Sequence, residues 1–141
     1  MITTKHYLLT VLISLLFGSV AMAATPSPGG AKVYFVAPAD GAVVASPVTI
    51  VFGLRNMGVA PAGIDVPNTG HHHLLINVAE PPAADAPIPA DARHRHFGGG
   101  QTEATIELPP GTHTLQLIMG DKFHVPLAPV VISEKISITV Q

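Results

Sequence analysis

Thr102-Glu103-Ala104-Thr105-Ile106-Glu107-Leu108 sets Ala104, Ile106 and Leu108 against Glu103, Thr105 and Glu107 in unbroken alternation. Successive side chains of a strand point to opposite faces, so this segment has one apolar and one polar face and reads as a half-buried strand. Near the C-terminus Ile136, Ile138 and Val140 alternate with Ser137 and Thr139 in the same way. Outward from these two, short runs rich in β-branched residues recur at 32–36, 48–54, 72–78, 113–119 and 135–140, separated by stretches bearing Pro and Gly. Beyond residue 23 no stretch repeats its apolar residues at the helical period. The expectation is an all-β domain, an antiparallel β-sandwich of about seven strands; long and uneven connections favour a sandwich over a barrel. Pro109-Pro110-Gly111 separates 102–108 from 113–119, and these two runs read as a hairpin.

The 141 residues include 7 Lys+Arg and 9 Asp+Glu, a formal net charge of -2, and neither Cys nor Trp. That length fits one domain. The few dispersed bases give no footprint for a phosphate backbone or an anionic lipid surface, so nucleic acid is not an expected partner. Residues 1–23 have the build of a secretory leader: Lys5 and His6, an apolar run over 7–20, then Ala21-Met22-Ala23 as a cleavage box. The apolar run is 14 residues long, short of the roughly 20 that span a bilayer. We therefore expect cleavage after Ala23, a periplasmic or secreted protein and no membrane anchor afterwards. Removing 23 of the 141 residues leaves 118, read as a linker over 24–31 and a single sandwich domain over 32–141. Without Cys no disulfide can form in an oxidising compartment, so stability must come from the core or from a bound ion.

Two groups of motifs carry resemblances. Pro38-Ala39-Asp40-Gly41, Ser46-Pro47-Val48-Thr49-Ile50 and Leu108-Pro109-Pro110-Gly111-Thr112-His113-Thr114-Leu115 resemble the opening and the late hairpin of bacterial immunoglobulin-like domains. A second set covers nearly all of the chain after the leader. It comprises Gly70-His71-His72-His73-Leu74-Leu75-Ile76, Pro87-Ile88-Pro89-Ala90-Asp91, His96-Phe97-Gly98-Gly99-Gly100-Gln101-Thr102-Glu103, Gly111-Thr112-His113-Thr114-Leu115-Gln116-Leu117 and Ser133-Glu134-Lys135-Ile136. Together these resemble the bacterial secreted domain-of-unknown-function family 4399. The first resemblance implies an immunoglobulin-like sandwich; the second implies no established activity.

Histidine is the compositional anomaly, with seven of the eight His beyond the leader: His71, His72, His73, His94, His96, His113 and His124. In an extended segment residues i and i+2 share a side, so His71 with His73, and His94 with His96, can each aim two imidazoles at one point. His-x-His is a chelating arrangement for zinc, copper(II) or nickel, and the absence of Cys argues against a thiolate site. Met57 and Met119 are the only Met beyond the leader, which gives poor support to a thioether copper(I) site. A strand over 72–78 covers roughly 20 Å, and the Pro-rich loop over 79–92 spans up to about 40 Å, enough to bring the chain back. The expected metal set is therefore His71, His73, His94 and His96, converging at one end of the sandwich, with His124 as a fifth contributor. The ion would be copper or zinc, its affinity weakening as pH falls through about 6.5.

The other candidates have plainer readings. His72 shares parity with Leu74 and Ile76 and reads as a hydrogen-bonding His at the core edge. His113 stands where immunoglobulin-like hairpins often keep a Tyr that ties the strand to a neighbouring turn, and by that analogy it reads as structural. Asp121 is most simply a turn residue. The loop over 79–92 reads as a spacer. Gly98-Gly99-Gly100 suits either close backbone approach to a ligand or a hinge, and it has no Lys-Ser or Lys-Thr after it to make a phosphate loop. No nucleophile elbow and no Cys support acyl transfer. Three function classes remain: a metal-binding module, an envelope interaction domain whose partner is another envelope protein and whose His are structural or pH-responsive, and, last, a metal-dependent enzyme.

Overall fold

In the computed structural model, which describes residues 24–141, the alternating segments sort into nine strands and two sheets. The leader read over 1–23 lies outside the described residues. The strands are β1 (Lys32–Ala37), β2 (Val43–Val44), β3 (Val48–Arg55), β4 (Gly58–Val59), β5 (Thr69–Ile76), β6 (His94–His96), β7 (Glu103–Ile106), β8 (Gly111–Gly120) and β9 (Ile136–Val140). One sheet has the order β1-β3-β7; in the other β2, β9, β8, β5 and β4 follow one another and β6 also pairs with β5. Pairing is antiparallel throughout, apart from the two-residue parallel pairs β2–β9 and β4–β5. The all-β sandwich expected from the sequence is what forms. It has nine strands instead of about seven, because β2, β4 and β6 are two or three residues long and too short to leave an alternating pattern.

The two sheets share one apolar core. Ile106, Leu108, Ile136, Ile138 and Val140, assigned inward by their alternation, pack there with Val33, Val48, Ile50, Phe52, Leu74, Leu115 and Leu117. A second, smaller cluster of Leu75, Ile88 and Ile118 lies on the opposite face of β5 and β8. The central strand β5 is thus buried on both faces. Ile88 reaches this outer cluster from the Pro-rich loop, whose backbone is fixed by the Ile88 N–H donating to the His124 carbonyl at 2.8 Å. The loop read as a spacer therefore also covers the sheet.

The expected hairpin between 102–108 and 113–119 does not form. β7 pairs with β3, while β8 pairs with β5 and β9. Pro109 and Pro110 have no N–H to continue a ladder, and the chain crosses there from one sheet to the other. Ile106 and Leu108 consequently meet Leu115 and Leu117 across the core. Alternation assigns faces and leaves strand partners open, so an arch between sheets and a hairpin within one sheet give the same pattern.

His113 stabilises this crossing. Its Nε2 donates to the Pro109 carbonyl at 2.8 Å, which makes Nδ1 the acceptor for the Asn77 side-chain amide at 3.0 Å. Asn77 Oδ1 in turn accepts from the Thr114 N–H at 2.9 Å. Replacing His113 by Ala leaves a carbonyl and an amide of this network without partners. We expect His113→Ala to lower unfolding free energy by about 1–3 kcal/mol in urea denaturation, with no change in the binding of any metal. An unaltered denaturation midpoint would contradict the structural role.

Candidate metal site

β5 runs His71-His72-His73 through the middle of the larger sheet, and parity divides the three. His72 faces the sandwich core, where its ring lies 4.9 Å from that of Phe52 and its Nδ1 donates to the Gln101 carbonyl at 3.2 Å. His71 and His73 face the other way, on the side of Leu75 and Ile118. All three side chains are sealed, at 0%, 0% and 1% exposure. The site therefore lies on the outer face of the larger sheet, toward the Gly120 end of β8, and not between the sheets.

The ladder selects which further His joins them. β6 pairs with β5 so that His96 stands opposite His73 and His94 opposite Leu75. His94 is on the same face as His96 but one pair farther along, about 7 Å away. There its Nδ1 lies 2.9 Å and 3.1 Å from Asp91 Oδ1 and Oδ2, and Oδ1 also accepts the N–H groups of Arg93 and His94. His94 thus belongs to an Asp91 turn and stands outside the group, contrary to its place in the expected set. His124 completes the group from the turn after β8.

That turn is built by Asp121. Its Oδ1 accepts the N–H groups of Phe123 and Val125 at 2.8 Å and 3.0 Å, and its Oδ2 accepts the Thr25 hydroxyl at 2.6 Å. The His124 N–H donates to the Asp121 carbonyl at 2.9 Å. His124 is held at φ 66°, a left-handed conformation that costs a residue with a Cβ about 1–2 kcal/mol. Asp121 offsets that cost and aims the ring at β5. Thr25 comes from the segment read as a linker, which runs along Ala128 through paired backbone hydrogen bonds of 2.9 Å each.

One ring nitrogen from each of His71, His73, His96 and His124 lies within 4.8 Å of every other. His71 Nε2 is 3.0 Å from His73 Nε2 and 3.1 Å from His124 Nδ1. A ring nitrogen holds one proton or one lone pair, so His71 Nε2 can make at most one good hydrogen bond of these two. Four nitrogens around one ion at about 2.0–2.1 Å stand roughly 3.3 Å apart in a tetrahedron, a few tenths of an ångström from both short contacts. No carboxylate belongs to this group. Two glycines make room for it. A Cβ on Gly120 would stand 2.8 Å from His73 Nε2, and one on Gly98 would stand 2.4 Å from His96 Nε2. The glycine run after His96 thus serves close approach at its first residue. No sequence signal points to Gly120, because its role depends on the β5–β8 register.

Burial decides the charge state of these rings. Desolvation, followed by the neighbouring imidazoles, lowers His71 from 6.5 to about 4, against a small upward pull from Asp121. Burial, against an upward pull from the Gln101 carbonyl, brings His72 to about 4, and burial with the other rings brings His73 to about 3. His96 is lowered by desolvation and by His124. Neutral imidazole is the ligating form, so protons compete for the His71 and His73 nitrogens well below the pH of about 6.5 expected from the sequence. In the unfolded chain the same groups protonate near 6.5. From there down to about 4 the unfolded state holds more protons than the native one. Stability is fully present above about 6.5 and is lost as pH falls toward 4, at about 1.4 kcal/mol per pH unit for each buried His. Urea midpoints of the metal-free protein should fall steadily between pH 6.5 and 4.5; a midpoint flat over that range would contradict the burial of neutral imidazoles.

Among curated proteins and among solved structures nothing matches this chain. A family model described as a domain of unknown function (DUF4399) matches residues 50–141. The matched segment runs from within β3 to the C-terminus and contains all four clustered His, Asp121 and both seating glycines. On that match, the chain belongs to the DUF4399 family.

Proposed function

We propose that this is an exported metal-binding domain that holds one divalent transition ion, copper or zinc, on His71, His73, His96 and His124. The observation that carries the reading is the His71 nitrogen facing two other ring nitrogens at 3.0 Å and 3.1 Å, an arrangement that hydrogen bonding cannot satisfy and a shared cation can. Burial supports it. His71 and His73 face the cluster through Nε2, and their Nδ1 atoms are buried without a hydrogen-bond partner, each at a cost of about 1–3 kcal/mol that an ion on the Nε2 atoms does not relieve. Apolar residues of similar size would stabilise the sheet better, so the two imidazoles are explained by what their Nε2 atoms face. An all-imidazole donor set suits copper(II) and zinc, and a chain without Cys offers no competing thiolate. The leader-like 1–23 supports a periplasmic or secreted location. Rings kept neutral down to about 4 or below are poorly suited to switching near pH 6.5, which weighs against the pH-responsive alternative.

Single-residue variants separate ligands from neighbours. Calorimetric titration with Zn(II) and Cu(II) should give one ion per chain for the native protein. His96→Ala and His124→Gly should each weaken binding more than about tenfold. His124→Gly also relieves the left-handed conformation, so it should bind less metal without loss of fold stability. His94→Ala should bind as the native protein does. Equal losses for His94→Ala and His96→Ala, or no uptake by the native protein, would overturn the assignment.

A further inference from the structure

The coordination proposed above is uneven in its access. His71 and His73 are sealed in the sheet, whereas His96 is exposed and His124 half-buried. An ion among the four is closed off on the β5 side and reachable on the side of His96 and His124. All four donors are neutral, so they cancel none of its charge. The acid beside them, Asp121, has its oxygens engaged by two backbone N–H groups and the Thr25 hydroxyl, which leaves it a partial counter-charge and not a ligand. Lys122, next along the chain, is paired with Asp65. A backbone bridge borders the approach. The Ala62 N–H donates to the Gly98 carbonyl at 2.9 Å, beside His96, and the Gly63 N–H to the Lys122 carbonyl at 3.1 Å, beside the His124 turn. The backbone at 62–63 thereby bridges the two sides of the opening.

We propose that the loaded site keeps one further coordination position on its His96–His124 side, and that a small anion fills it. The inference rests on the metal-binding reading. A cation whose protein ligands are neutral attracts an anion more strongly than a neutral donor, and both copper(II) and zinc accept a fifth ligand. The ligand class is a small anion that binds through one terminal atom, such as hydroxide, a halide or azide. The bridge at 62–63 borders this position, and within this proposal it limits the anion to a small one.

The test uses the protein loaded with one equivalent of Cu(II), confirmed by metal analysis after desalting, and titrated with sodium azide. The expected result is a saturable azide-to-copper charge-transfer absorption and a changed copper paramagnetic resonance spectrum, with copper retained on a second desalting. Benzoate, of equal charge and greater bulk, should leave both spectra unchanged. Copper bound and spectra unmoved by a large azide excess would overturn the anion position alone, as would removal of copper by azide. Equal responses to azide and benzoate would overturn the size limit. Failure to take up copper would overturn the metal reading and this inference together.

Discussion

The burial of three consecutive imidazoles on β5 is the constraint around which the remainder is arranged. A strand sealed on both faces ordinarily carries apolar side chains, whose removal from water drives folding. Here His71, His72 and His73 fill that position at the centre of the larger sheet. His72 is accommodated by Phe52 and the Gln101 carbonyl. The outward pair has no such partners and is met instead by two more imidazoles, from β6 and from the turn after β8. Gly120, the Ile88 loop and the Asp121 turn all act to close the sheet around rings that a purely structural strand would not use.

Stability and site geometry pull in opposite directions at several of these positions. The left-handed His124 and the unpartnered nitrogens of His71 and His73 are each unfavourable in isolation. The compensation is local and identifiable. Asp121 satisfies the turn with three hydrogen bonds to its carboxylate, one of them from Thr25, which is 96 residues away in sequence, and the Leu75, Ile88 and Ile118 cluster supplies apolar burial beside the rings. Strain held in place by surrounding packing clusters at functional sites.

Much of the fold was legible in alternation. Ile106, Leu108, Ile136, Ile138 and Val140 declare their faces in the sequence and occupy the core. Pairing was not legible, since the same alternation serves a hairpin or an arch, and β7 and β8 proved to lie in different sheets. In the site, the i, i+2 rule correctly puts His71 beside His73 and His94 on the face of His96. It does not say where β6 stops sliding along β5. That register places His96, and not His94, opposite His73. One clue to the separation was available: Asp91 precedes His94 by three residues, a spacing at which an Asp caps its own turn and engages the following groups. The contributions of Gly120 and Thr25 depend on contacts between distant segments, and no local pattern encodes them.

The assignment of a shared ion site is tested most directly by anomalous diffraction from crystals of the protein grown with Zn(II) or Cu(II), collected on both sides of the metal edge. A single strong anomalous peak should lie about 2.0–2.1 Å from one nitrogen each of His71, His73, His96 and His124, on the outer face of β5 and apart from His94. A peak held by His94 and Asp91, or no peak among the four rings at saturating metal, would contradict it.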